Sequence, residues 1–103
     1  MKVIRVHKAS SFFEKFLGLM FKREYTGCLL LEHCRSIHTF WMFFSIDLIC
    51  LSGEGAVLAV KKTLQPWRVF CAPSGTQSII ECSAESSTIG DIAVGDSVTV
   101  EVV

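Results

Sequence analysis

Between residues 28 and 62, short apolar runs follow one another with only turn-length polar breaks between them. The runs CLLLE, SIHTFWMFF and IDLICL are rich in leucine, isoleucine and aromatic residues, and AVLAVKK follows after the break SGEG. Such runs are typical of strands, and the glycines of SGEG accept positive φ angles at little cost, which favours a hairpin. Because both faces of these strands are apolar, the pattern predicts a sheet covered on two sides.

Strand patterns also occur outside this region. KVIRV near the start, TQSIIEC and the cleanly alternating SVTVEVV each predict a strand. One short helix is predicted where Ser11 and Glu14 form a capping box and Gly18 supplies a stop. Together these elements predict one domain over residues 1–103, with a mainly β fold. We expect a compact antiparallel β sandwich or barrel of about six or seven strands with one short helix.

The charge balance excludes some classes of partner. Lys plus Arg equals Asp plus Glu at ten each among 103 residues, so there is no basic surplus to neutralise the phosphates of a nucleic acid. No basic amphipathic segment is present to hold a membrane surface, and the longest apolar stretch is far shorter than the roughly 20 residues that span a bilayer. The first ten residues lack the apolar core of a signal peptide. We therefore expect a soluble, cytoplasmic protein.

The five cysteines predict no disulfide framework. Their number is odd, no export signal is visible, and most of them lie inside apolar runs, where a thiol behaves as a small hydrophobic group. The cysteines are Cys28, Cys34, Cys50, Cys71 and Cys82.

The histidine in SIHTFWMFFSID, residues 36–47, has two interpretations. On a strand, the two-residue period would place His38 on one face with Phe40 and Met42. The common interpretation is a partly buried imidazole that is hydrogen-bonded to the backbone or to Asp47. The alternative is a ligand-binding or acid–base residue in a pocket, with Thr39 and Asp47 positioning the ligand or the ring.

Several other side chains could line such a pocket. Trp41 and Trp67 would supply flat apolar walls, although aromatic residues of this kind are more often part of a core. Met20, in the predicted helix, could close the pocket or simply seat the helix on the sheet. The full candidate binding set is His38, Thr39, Trp41, Met42, Asp47, Met20 and Trp67.

Metal and nucleophile patterns are weak in this chain. Cys28, His33, Cys34 and His38 lack the paired short spacings of a zinc site. Cys34 lies near two histidines, but sequence neighbours on strands rarely converge into a nucleophile and base, and there is no G-x-S-x-G elbow. We expect no catalytic residues, no metal and no cofactor.

An ordered set of short motifs resembles a known family. The motifs are GLMF at 18–21, SIHTFWM at 36–42, IDLICLSGEGAVLAV at 46–60, PW at 66–67, IIE at 79–81 and IAVGDSV at 92–98. This set is similar to DUF192, also called UPF0127, over about residues 9 to 100. The resemblance implies a small, β-rich, sandwich-like domain with no established activity. The family usually carries an arginine just before the GLM block, where this chain has Phe16 and Leu17, so an anion site built on that arginine is not expected.

Three functions remain open from the sequence. We favour a non-enzymatic domain that binds a small molecule or a protein partner, because few polar residues are set among aromatic ones. A structural or assembly protein that offers an apolar face is the second hypothesis. The third is a hydrolase or transferase that uses His38 with Asp47, which requires both side chains to lie within hydrogen-bond reach and open to solvent. We expect a monomer or a weak homo-oligomer.

Overall fold

The computed structural model describes residues 2–8, 27–84 and 89–103, and these residues form eight β-strands. The strands are β1 (Lys2–Lys8), β2 (Cys28–Glu32), β3 (Ser36–His38), β4 (Ile46–Leu51), β5 (Val57–Leu64), β6 (Val69–Cys71), β7 (Ser78–Ser83) and β8 (Val98–Val102). The mainly β fold predicted from the apolar runs is confirmed. The predicted helix that begins at Ser11 lies outside the described residues. In those three ranges, no helix has the length and apolar character needed to cross a bilayer.

The strands form two sheets. Six strands lie in the order β5-β4-β7-β2-β1-β8, and β3 pairs with β6 in a separate two-stranded sheet. Neighbouring strands are antiparallel except at β1, which runs parallel to both β2 and β8. The large sheet is therefore mixed, whereas the sequence predicted antiparallel pairing. Parallel pairing of β1 with β8 sets Lys2 opposite Val98, and no local turn connects strands so far apart in sequence.

The large sheet is covered on both faces. Along β4, side chains alternate between two apolar clusters, as the two-residue period of a strand requires. Leu48 and Cys50 belong to the cluster that includes Ile37 of β3, so the small sheet packs on that face. Ile49 belongs to the opposite cluster, which includes Ile4 of β1. The sequence prediction of central strands covered on two sides is confirmed.

The strand β3 is shorter than the sequence predicted. The run SIHTFWMFF suggested a strand through residue 44, but pairing ends at His38 and the chain turns over residues 39–42. Phe40 and Met42 therefore do not continue the strand face that carries His38. The reason is that Thr39 forms hydrogen bonds with a segment of the chain that is distant in sequence.

A disulfide joins two of the five cysteines. Cys28 on β2 lies directly opposite Cys82 on β7, with the two Cα atoms 4.4 Å apart, and the two sulfur atoms are bonded. The sequence prediction that the cysteines form no disulfide framework is therefore wrong for Cys28 and Cys82. It failed because 54 residues separate them in sequence, so only strand register brings them together. Cys34, Cys50 and Cys71 are not part of a disulfide.

Candidate functional site

Thr39 is a buried hydrogen-bonding centre between two turns. Its side chain is fully buried, with an exposed fraction of 0%. The Oγ1 hydroxyl donates to the carbonyl of Gln65 at 2.6 Å and accepts from the amide of Arg68 at 2.8 Å. Its own amide donates to the Arg68 carbonyl at 2.8 Å, and its carbonyl accepts from the Trp67 amide at 3.0 Å. These bonds fix the turn after β3 to the segment that leads into β6.

Each of the two joined turns displays a tryptophan. Trp41 and Trp67 both have φ angles of 65°, in the left-handed region that bulky side chains rarely adopt. Their side chains are 51% and 52% exposed. The two ring centroids lie 4.8 Å apart at an interplanar angle of 62°, and the ring of Phe40 stacks on Trp67 at 5.7 Å. The indole rings are thus held against each other with a large part of each facing solvent.

Other exposed apolar side chains lie in the same two segments of the chain. We call the whole area the aromatic surface, and its exposed members are Phe40, Trp41, Phe43, Trp67 and Val69. The two segments that build it, residues 33–46 and 65–72, contain no aspartate or glutamate, and their permanently charged side chains are Arg35 and Arg68. The surface therefore combines exposed rings with positive charge. Exposed apolar patches of this kind mark sites of interaction.

His38 lies at the edge of the aromatic surface. It is half-buried on β3, directly opposite Val69 of β6. Its Nδ1 atom accepts a hydrogen bond from the Phe40 amide at 3.3 Å, and its ring lies 5.1 Å from the Phe40 ring. A bond to the backbone is one of the two arrangements that the sequence suggested for this imidazole.

Asp47 belongs to a different part of the fold. It lies on β4, is 6% exposed, and its Oδ1 atom accepts a hydrogen bond from the Thr63 amide at 2.8 Å. Between the pairs Ile46–Leu64 and Leu48–Lys61, two residues of β5 face this one residue of β4, which is a β-bulge. The carboxylate thus accepts a hydrogen bond from an amide that the bulge removes from the hydrogen-bonding ladder between β4 and β5. The enzyme hypothesis required an Asp47 that is open to solvent, and this aspartate is buried.

We expect Asp47→Ala to lower the free energy of unfolding by about 2 kcal/mol, because the Thr63 amide loses a charged acceptor. Asp47→Asn should cost less than half as much, since the amide oxygen can accept the same bond. Urea unfolding of both variants measures the difference. Equal losses in the two variants would contradict a role for this oxygen in holding the bulge.

Two candidate residues remain, Met42 and Met20. Met42 is buried in the same apolar cluster as Leu48, and its amide donates to the Thr39 carbonyl at 3.2 Å. Met42 therefore connects the turn to the core and is not part of the aromatic surface. Met20 lies outside the described residues. The structure brings together four of the candidates, which are Thr39, Trp41, Trp67 and His38. Asp47 is not among their hydrogen-bond partners.

The candidate binding set drawn from the sequence did not include Phe40, Gln65 or Arg68. Arg68 directly follows Trp67, and that adjacency was the available signal in the sequence. Its guanidinium donates to the Pro66 and Trp67 carbonyls and to the Gln65 side chain at 3.3 to 3.5 Å, all in exposed positions.

Across residues 2–8, 27–84 and 89–103, no three His, Cys, Asp or Glu side chains come together in an arrangement that could hold a metal ion.

The sequence and fold are similar to those of known proteins. The family model DUF192, described as "Uncharacterized ACR, COG1430", matches residues 1–100. A UPF0127 protein of Thermococcus sibiricus is 33% identical, over 95% of this chain and 67% of the relative. A UPF0127 protein of Pyrococcus horikoshii is 37% identical, over 74% of this chain and 70% of the relative.

Two crystal structures share the fold at low sequence identity. A protein of unknown function from Novosphingobium aromaticivorans has a TM-score of 0.78 and 17% identity, covering 89% of this chain and 71% of its own. A putative transcription regulator from Sinorhizobium meliloti has a TM-score of 0.77 and 14% identity, covering 89% and 78%. At these identities the likeness establishes the architecture alone.

Proposed function

This chain belongs to the DUF192 family of uncharacterised proteins, and from that premise we propose that it is a non-enzymatic binding domain. Its ligand is a segment of another protein that packs on the aromatic surface. Trp41 and Trp67 supply the main contact area, Arg68 supplies the charge, and Thr39 holds the two turns in place.

The left-handed backbone at both tryptophans carries this proposal. A bulky residue in that region costs on the order of 1–3 kcal/mol, and such strain persists only where the surroundings fix it. Here Thr39 fixes it through bonds to both turns. The fold also leaves about half of each indole in water, which forgoes the stabilisation that burial would give. Strain and exposure at the same two residues favour display for a partner.

The composition of the aromatic surface indicates the chemistry of the partner. Tryptophan and arginine are the residues that most often dominate the energy of protein interfaces. The exposed hydrogen bonds of the Arg68 guanidinium are long, so a carboxylate can replace them with shorter, charge-assisted bonds. Because the surrounding segments carry no acidic side chain, the matching partner segment is apolar and contains aspartate or glutamate.

The proposal can be tested by selecting peptides from a displayed random library on the wild-type chain, after removal of those that bind Trp67→Ala. Apolar sequences with acidic residues are expected to be enriched. Tryptophan fluorescence then reports directly on the site, because Trp41 and Trp67 are the two tryptophans of the chain. A selected peptide should shift their emission to shorter wavelength as it removes them from water. Enrichment of peptides without apolar or acidic character would count against the proposed chemistry.

We expect Trp67→Ala to weaken binding of a selected peptide by at least 100-fold, because the variant removes the central ring of the surface. Alanine keeps a Cβ atom, so the backbone strain at this position does not change, and the variant should still unfold in one cooperative transition in urea. Val94→Ala is the control, since Val94 is also an exposed apolar residue but lies in a turn outside the aromatic surface. Equal affinities of the two variants, measured by calorimetry, would refute the assigned site.

A further inference from the structure

A cavity of about 540 Å³ lies at one end of the large sheet, and none of the residues that line it is an exposed member of the aromatic surface. It forms where β2 ends, where the turn joins β4 to β5, and where the chain enters β7. Two glycines and six polar side chains line it. The polar side chains are Glu32, His33, Ser52, Glu54, Gln77 and Ser78.

Hydrogen bonds hold the walls of this cavity in place. The His33 amide donates to the Gln77 carbonyl at 2.7 Å, and the Gln77 amide donates to the Leu51 carbonyl at 2.8 Å. In the turn, the Ser52 hydroxyl accepts from the amides of Glu54 and Ala56 at 3.3 and 3.1 Å. Three separate segments are therefore fixed relative to one another, and the cavity is formed before any ligand arrives.

Size and lining distinguish this cavity from a packing defect. Voids left by imperfect core packing are apolar and dry, whereas no apolar side chain lines this one. Its volume falls in the range of about 300 to 1,000 Å³ that small-molecule sites occupy, and is far larger than the roughly 30 Å³ of one water molecule. The lining thus suits a small, polar ligand.

The charges of the side chains that line the cavity determine whether a cationic or an anionic ligand is favoured. Glu32 and Glu54 contribute two carboxylates; Glu32 is paired with Lys8, whose Nζ atom lies 2.6 Å from it, so Glu54 is the carboxylate on which the charge of the ligand depends. Glu54 is exposed in the turn. The described residues offer no third aspartate, cysteine or glutamate to complete a metal site with them. We propose that this cavity binds a small organic cation with N–H donors, an amine or a guanidine, through Glu54 and the neighbouring hydroxyl and amide groups.

The test uses a pair of small molecules of similar shape that differ in charge. In an NMR titration, 1,4-diaminobutane is expected to shift the amide signals of residues 52–54 and 75–78 saturably. 1,4-Butanediol, which replaces each ammonium with a hydroxyl, should leave them unchanged. Raising the salt concentration should weaken diamine binding, because the attraction is between charges.

Variants of single carboxylates locate the charge that matters. Glu54→Gln keeps the shape of an exposed turn residue and should weaken diamine binding at least tenfold. Glu101→Gln is the control, since it removes an exposed carboxylate of β8 outside the cavity and should leave the affinity unchanged. Trp67→Ala should also bind the diamine normally, so this proposal and the proposed protein-binding function can fail independently. An equal response to the diol, an unchanged affinity in Glu54→Gln, or shifts spread over the whole surface would overturn the assignment.

Discussion

Breaking the Cys28–Cys82 disulfide is expected to lower the free energy of unfolding by about 4 kcal/mol. The two cysteines are 54 residues apart in sequence, and the chain-entropy relation for a loop of that length gives about this value at 25 °C. A domain of this size is typically stable by only about 5–15 kcal/mol, so the bond accounts for a large share of the total. Urea unfolding of the oxidised protein and of the double variant Cys28→Ala, Cys82→Ala measures the difference.

Two controls separate the cross-link from the packing of the side chains. The reduced wild-type protein keeps every side-chain heavy atom and loses only the bond, so it should be destabilised by nearly as much as the double variant. Cys71→Ala, at an exposed free thiol, should leave stability unchanged in both redox states. Titration of thiols in the unfolded, oxidised protein should find three, for Cys34, Cys50 and Cys71. A count of five, or equal stabilities with and without reductant, would rule out the bond.

The second large effect concerns Glu81, a carboxyl group in the interior of the large sheet. It lies on β7 between β2 and β4, is 4% exposed, and no group in the described part of the chain donates a hydrogen bond to its Oε2 atom. Burial raises its pKa to about 7, from an ordinary value of 4.5. The protonated, neutral form is the one that tolerates this site, because a buried carboxylate loses its hydration.

We therefore expect the free energy of unfolding to fall as the pH rises from about 4.5 to about 7. In that interval the folded protein retains a proton that the unfolded chain has released, so each increase in pH favours the unfolded state. The difference between the two pKa values corresponds to about 3 kcal/mol. Above pH 7 this contribution should be constant, since both states are then ionised. Denaturant unfolding at a series of pH values measures it.

Glu81→Gln should remove this dependence, because the amide has a similar shape and cannot ionise. The variant should match wild type near pH 4.5 and exceed its stability by about 3 kcal/mol at pH 8. Glu101→Gln, at an exposed carboxylate of β8, should retain the wild-type profile. Parallel pH profiles for wild type and Glu81→Gln would mean that this carboxyl group does not titrate as described.

Local patterns predicted the central strands well and failed where distant residues decide the structure. The runs CLLLE and IDLICL form β2 and β4, because a strand that is apolar on both faces is stable where both faces are covered. The early end of β3 depends on bonds from Thr39 to residues 26 and 29 positions away, which leave no mark on the neighbouring sequence. The disulfide depends in the same way on register between β2 and β7.

The candidate site was predicted in part for the same reason. His38, Thr39, Trp41 and Trp67 were identified as chemically unusual residues, and the structure groups them around one pair of turns. Asp47 was chosen for its charge within an apolar run, but its partner is the amide of a bulge, and a bulge cannot be read from the alternation of one strand. The polar cavity was not foreseen, since three separate segments have to meet to form it.

The position of β1 has a consequence for the kinetics of folding. This strand lies between β2 and β8, and its pairing with β8 joins residues 96 positions apart, as in Lys2 with Val98. Closing a loop of that length precedes the gain from the contacts, so topologies with such distant pairs fold slowly. During synthesis, one edge of β1 stays open until the ribosome has released residue 102. An unpaired strand edge of this kind exposes a nascent chain to aggregation until β8 pairs with it.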